Sequence, residues 1–270
     1  MLDWLPYVLA LAGTGLIAGV IAGLLGVGGG IVIVPVLELL LGVAGVAPEW
    51  RMHVAIATSL ATIVPTSISS ARAHHAHGAV DWPLVRSWSI PVIAGALLGG
   101  LLAARAKSAW LAALFGSVAL VVALKMLLPL ERLRLAAAPP RGVKGAAIAA
   151  PIGAVSAMMG IGGGTFTVPA MALCGEPIHR AVASAACLGL LISLPGTLAF
   201  LCATPPADLP WGTVGLVSLP GVLLIAPATV LAAPLGARLA HALDKRLLSV
   251  AFGGFLLVVA ARMLYRAFAA

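Results

Sequence analysis

One phrase occurs twice in this chain: GVGGGIVIVP from Gly26 to Pro35 and GIGGGTFTVP from Gly160 to Pro169, 134 positions apart in a sequence of 270 residues. A period near half the length makes the chain two copies of one unit, not an array of small repeats. Each glycine in a helix costs about 1 kcal/mol relative to Ala. Gly28-Gly29-Gly30 and Gly162-Gly163-Gly164 are therefore expected to break or end helices, and both triplets fall inside apolar runs.

Composition identifies the surrounding medium. With 62% apolar and 9% charged residues, there is too little polar surface to cover a soluble globule of this size. Charge-free runs such as Leu5 to Leu37, Ser87 to Ala104 and Ala181 to Pro206 reach or exceed the ~20 residues of a spanning helix. Segments of about ten alternating residues, the mark of a membrane β-barrel, are not visible. The expected fold is an all-α polytopic transmembrane bundle built from two inverted repeats, with short or broken helices after the glycine phrases. The N-terminus carries Asp3 and neither Lys nor Arg before the first run, so that segment reads as a retained helix, not a cleaved signal.

Spans are expected near residues 5–25, 31–46, 53–72, 82–104, 108–128, 143–160, 165–175, 181–204, 211–240 and 247–267. The second and seventh are short and follow the glycine phrases, which leaves a count of eight full spans open. Residues 131–144, with two adjacent prolines and four of the 16 basic residues, read as a linker between a first repeat (1–130) and a second (145–270). The repeats also match at Leu114-Phe115-Gly116 with Ala251-Phe252-Gly253 and at His53 to Thr58 with His179 to Ser184. Five segments per half would turn the second copy over relative to the first, the plan of many carriers whose substrate site lies at the midplane.

Charge orients this scheme. One side would hold Arg72, Arg86, Arg132, Arg134, Arg141, Lys144, Arg180, Arg238, Lys245 and Arg246, the other Arg51, Arg105, Lys107, Arg262 and Arg266. Ten against five favours the first side as cytoplasmic and puts both termini outside. The net charge of +8 follows from topology and anionic headgroups. The basic residues are scattered without an aromatic-rich basic face, so nucleic acid is not an expected partner.

Unwound backbone in a bilayer is tolerated only when buried in protein or lining a polar cavity. A helix restarting after such a break offers free N–H groups and a positive dipole end, which suit an anion. Packing of small residues is the other reading of the glycines; their matched positions in both halves favour a substrate site.

The paired GxGGG-x4-P phrases, Thr58-Ser59-Leu60, Val64-Pro65-Thr66-Ser67 and the stretch from His74 to Trp82 resemble the sulfite exporter TauE/SafE family of probable membrane transporters. The resemblance covers nearly the whole chain. It implies a bacterial inner-membrane carrier for sulfite, sulfoacetate or related organosulfonates, with no cofactor. In the second half Ser184-Ala185 stands where the first has Thr58-Ser59, so one hydroxyl is missing.

The residues themselves add candidates for an anion. Arg51 with His53 and His179 with Arg180 open equivalent segments, each preceded by an acid, Glu49 or Glu176. Guanidinium groups offer forked donors to sulfonate oxygens, although interfacial snorkelling accounts for the same positions. Thr58, Ser59 and Ser184 could hydrogen-bond substrate oxygens, or their own helix backbone. Glu38 is the acid expected within a membrane segment, where it is a candidate proton site; with a short second segment it lies at the interface instead. His74, His75 and His77 could serve a divalent metal permease, the alternative to anion export, but a solvated loop is the plainer reading. Cys174, Cys187 and Cys202 have no CxxC spacing and read as inert thiols. Dispersed acids and the lack of paired carboxylates or a Ser/His/Asp pattern argue against an enzyme. The expected partners are the anion and the lipid bilayer, with a homodimer or a non-transporting scaffold as open arrangements. The expected motion is a rocking of the two halves about the glycine breaks.

Overall fold

The computed structural model describes residues 5–25, 29–127, 136, 138–205, 209–242 and 245–269. Ten helices follow in order among them: α1 (Leu5–Leu25), α2 (Gly30–Val43), α3 (Pro48–Ala76), α4 (Trp82–Arg105), α5 (Ser108–Leu127), α6 (Gly142–Met159), α7 (Gly164–Leu173), α8 (Ile178–Leu201), α9 (Leu219–Ala242) and α10 (Lys245–Ala269). Seven are long and apolar enough to cross a membrane, and α1, at 21 residues, falls in the range of about 17–25 residues that spanning requires. With 14 and 10 residues, α2 and α7 extend only about 21 and 15 Å, short of the ~30 Å hydrocarbon core. The chain is thus a polytopic helical membrane bundle.

Two boundaries differ from expectation. Residues 213–218 form a small antiparallel hairpin, β1 (Thr213–Val214) with β2 (Val217–Ser218), where an unbroken span from 211 is expected. Gly212 and Gly215, both at positive φ, allow this reversal. The third helix runs on to Ala76, so His74 and His75 lie in its last turn and not in a loop.

Packing interleaves the two halves. The most extensive helix contacts are α1 with α9, α4 with α6 and α5 with α10, followed by α3 with α8 and α4 with α8. Small residues make the first two close. On α4, Gly95 and Gly99 lie against Ala150 and Ala154 of α6; on α1, Gly15 lies against Ile225 and Ala228 of α9, and Gly19 against Thr229 and Ala232. Without a hydrophobic drive between helices in lipid, such small-residue seams supply the van der Waals contact. Both pairs run parallel, since rising numbers meet rising numbers. By contrast α3 and α8 run antiparallel, with Leu60 beside Gly196 and Ser67 beside Gly189. So do α5 and α10, where Gly116 meets Leu264 and Gly253 meets Leu127. Helices α3 and α8 are the most enclosed of the seven, whereas Leu98, Val121, Leu223, Leu231 and Val258 face outward as lipid contacts.

The starts of α4 and α9 are built alike. The Asp81 carboxylate accepts from the Leu84 N–H at 3.1 Å and the Ser218 hydroxyl from the Gly221 N–H at 3.3 Å, each a side-chain cap three residues back. The backbone N–H groups of the two caps are themselves bound: Asp81 donates to the Ser184 hydroxyl of α8 and Ser218 to the Thr58 hydroxyl of α3, both at 3.0 Å. Each equivalent hydroxyl therefore fastens the start of a helix from the opposite half.

A leucine at Gly99 would drive into Ala154, whose Cα lies 2.7 Å from the Cβ position; overpacking costs about 1–3 kcal/mol. Thermal unfolding of purified Gly99→Leu is expected to show a clear drop in Tm, with Leu98→Ala on the lipid face close to neutral. Thr58→Val strands the buried Ser218 N–H and is expected to cost about 1–3 kcal/mol, as is Ser184→Ala at Asp81; unchanged denaturation midpoints for both would remove the clasp role.

Candidate functional site

The glycine phrases terminate helices as their composition demands. Gly29 takes φ 70° and Gly163 φ 79°, each the residue immediately before a short helix. An L side chain in that left-handed region costs about 1–2 kcal/mol, which explains glycine at both positions. Gly28 lies outside the described residues. On the other side of the second break, α6 ends at Gly160, also left-handed at φ 71°.

The two breaks meet in the interior. A Cβ on Gly30 would strike the Gly160 carbonyl, and one on Gly162 would stand 2.8 Å from Ile63. The Ser59 hydroxyl, fully buried on α3, donates to the Gly160 carbonyl at 2.7 Å. From α8, Gly189 approaches the Gly162 carbonyl, with the Ser67 hydroxyl alongside. The irregular backbone is thus enclosed by the antiparallel α3 and α8, and Gly29, Gly30, Gly164 and Ser59 are all buried. Ser156 and Thr165, neither of which the sequence singles out, are also buried at the second break, and neither hydroxyl has a hydrogen-bond partner among the described residues.

The charged candidates lie elsewhere. One cleft of about 610 Å³ is lined by Asp81, Trp82, Arg141, Glu176 and Arg180. There Asp81 pairs with Arg141 and Arg180, both at 3.6 Å, and Arg180 pairs with Glu176 at 3.4 Å. His179 is exposed beside it. A second cleft of about 660 Å³ is lined by Glu49, His53, Arg105, Lys107 and Arg266. His53 shares a 2.8 Å hydrogen bond through Nε2 with the Ala106 carbonyl, and Arg51 donates from Nε to the Val46 carbonyl at 2.6 Å. Trp82 and Arg105 are opposite ends of α4, so its 24 residues separate the clefts by about 36 Å. Arg51 and Arg180 do not converge on one small anion; each belongs to its own end of the bundle.

Glu38 is buried on α2 and lies between Arg262, at 2.7 Å, and Arg266 of α10. Arg266 also donates to the Pro48 carbonyl at 2.6 Å. Both charge clusters join the first half of the sequence to the second: Asp81 with Arg141 and Arg180, Glu38 with Arg262 and Arg266. The signal for the Glu38 partners was present in the sequence only as two cations one helical turn apart near the C-terminus.

His74, His75 and His77 are not gathered into one set of ligands. His74 and His75 are adjacent in a helix and point about 100° apart, while His77 shares a 2.7 Å hydrogen bond through Nδ1 with the Ala73 carbonyl. Among the described residues no three His, Cys, Asp or Glu side chains are grouped to hold a metal. The three cysteines are free thiols.

A family model described as Sulfite exporter TauE/SafE matches residues 11–263. A probable membrane transporter protein of Haemophilus influenzae is 35% identical over 253 residues, covering 92% of this chain and 95% of its own length. A second such protein, from Bacillus subtilis, is 30% identical, with 69% of this chain and 76% of that protein aligned. A third, from Methanocaldococcus jannaschii, is 25% identical over 93% of the chain and 92% of its own length. No solved structure matches. With the bundle, the paired breaks and these relatives in agreement, the chain is a multi-pass membrane transporter and belongs to the sulfite exporter TauE/SafE family.

Proposed function

We propose that this protein is a secondary carrier exporting a small sulfur-containing anion, such as sulfite, sulfoacetate or a related organosulfonate, across the bacterial inner membrane by alternating access. The observation that carries the reading is the meeting of the two helix breaks in the interior, between clefts at opposite ends of the bundle. Helix starts at such breaks offer unpaired N–H groups and a positive dipole end to an anion. The family's description as sulfite exporters supports the substrate class.

The two repeats are read as inverted copies. Support comes from the antiparallel course of the equivalent pairs α3 with α8 and α5 with α10, and from a pattern of packed pairs that survives exchange of α1–α5 for α6–α10. The excess of Lys and Arg on the Arg141 and Arg180 side assigns that side to the cytoplasm and the termini to the periplasm. The moving bodies are then packed units that cross the repeats, α1 with α9 and α4 with α6, and not the sequence halves. Each charge cluster closes one end, so access at the cytoplasmic end requires the Asp81 pairs to part and access at the outer end the Glu38 pairs. With both of its oxygens facing arginines, Glu38 acts in this scheme as a clamp and not as a proton carrier.

Export needs no pump. A cell interior negative by 100 mV favours exit of each negative charge by about 2.3 kcal/mol, and a dianion gains twice that. In proteoliposomes loaded with sulfite, efflux is expected to rise with an imposed inside-negative potential and to ignore a pH gradient, with no flux of nickel. Flux that followed the proton gradient alone would overturn uniport and return Glu38 to a coupling role. Nickel flux would revive the cation permease, and no flux of any probe would leave a scaffold.

A further inference from the structure

We infer that the substrate's oxyanion group is held at the second glycine break and not at the first, by the hydroxyls of Ser156 and Thr165 with the leading N–H groups of α7. The inference rests on the carrier reading and names the subsite within it. Ser156 is 0% exposed and Thr165 6%, and neither hydroxyl has a hydrogen-bond partner among the described residues. Ser156 is aimed at the break: its Oγ lies 3.9 Å from the position a Cβ on Gly163 would take. Thr165 is the second residue of α7.

Two neighbouring hydroxyls, those of Thr167 and Ser59, are already committed. The Thr167 hydroxyl donates to the Gly163 carbonyl at 2.7 Å, and the Phe166 and Thr167 N–H groups bond the same oxygen. Ser59 is engaged with the Gly160 carbonyl. At the start of α7 there remain the Ser156 and Thr165 hydroxyls and the N–H groups of Gly164 and Thr165, which as the first of the helix have no intrahelical acceptor, with the Ser67 hydroxyl on the α3 side beside the Gly162 carbonyl.

The first break is the internal control. The same offset of 134 that relates the glycine phrases pairs Ser156 with Ala22 and Thr165 with Ile31. The geometry repeats as well, for the Ala22 Cβ lies 3.5 Å from the Cβ position of Gly29, where the second break has the Ser156 hydroxyl. At that point the α7 break has a hydroxyl where the α2 break has a methyl group; the Ile192 side chain stands beside the hydroxyl and the Ala18 carbonyl beside the methyl. A set of neutral donors matches an –SO₃ group, whose oxygens all accept; sulfite and sulfonates share that group. Binding through hydroxyls and N–H groups, without an ion pair, also leaves the anion free to depart.

The test uses the full chain, purified and reconstituted, with sulfite and sulfoacetate as separate probes. Ser156→Ala and Thr165→Val are each expected to lower flux and the ligand-induced thermal shift for both probes by about tenfold or more, the weight of a hydrogen bond to a charged group. Without ligand their Tm should equal or exceed that of the wild type, since no protein hydrogen bond is lost. Ile31→Val should change neither. Unaltered flux in both hydroxyl variants would overturn the subsite, and so would a Tm that falls without ligand, because the hydroxyls would then serve the fold. Loss for sulfoacetate alone would also overturn it, by assigning the hydroxyls to the carboxylate. A wild type that carries neither probe defeats the carrier reading itself, which distinguishes the two failures.

Discussion

Backbone that leaves the helix inside a bilayer has to find its hydrogen bonds within the protein, because lipid supplies none. In this molecule that demand falls on the carbonyl of Gly160, which receives the buried Ser59 hydroxyl, and on the glycines that let α3 approach Gly30 and Gly162 and let α8 approach Gly162 and Gly163. The rest of the architecture follows. To enclose two interruptions at once, α3 and α8 take the centre of the bundle, and the other long helices form the boundary with lipid. The shortness of α2 and α7 has the same origin, since each begins at a break in the protein interior.

The charges at the two ends differ in energetic character. Arg141 and Arg180 are about half exposed and stand 3.6 Å from Asp81, so each contact is weak and easily exchanged for water. Glu38 is almost wholly buried and has an arginine on each oxygen. Separation of that group leaves a carboxylate without compensation, a far larger penalty. The ends of the bundle are therefore equivalent in helix geometry but unequal in the energy needed to open them.

How much of this was legible in the sequence depends on the range of the interaction. Local rules worked for the charge-free runs, which became helices, and for the glycine phrases, which separate α1 from α2 and α6 from α7; Glu38, whose depth the sequence left open, is buried. Val214 and Val217 hid the hairpin, because two apolar residues on a tight turn continue an apolar run without any change of composition. Arg51 and Arg180 matched as motif neighbours, yet equivalent helix starts lie at opposite ends once α3 and α8 run antiparallel, so likeness in sequence became distance in space. Thr58 and Ser184 were legible as polar residues in apolar helices; their partners are 160 and 103 positions away, beyond the reach of any spacing rule. Ser156 carries no local signal at all, and its interest comes only from the break it faces.

The seam between α1 and α9 has a consequence for the birth of the molecule. Gly15 and Gly19 pack on a helix that begins at Leu219, so α1 receives its main partner only after helices α2 to α8 have been made. Until then its glycine face is open to lipid or to transient neighbours. The first half of the sequence cannot complete its small-residue seams alone, because α4 likewise awaits α6. Synthesis order and final packing are out of step, and α1 and α4 have to persist in the bilayer as separate insertions before the bundle closes around them.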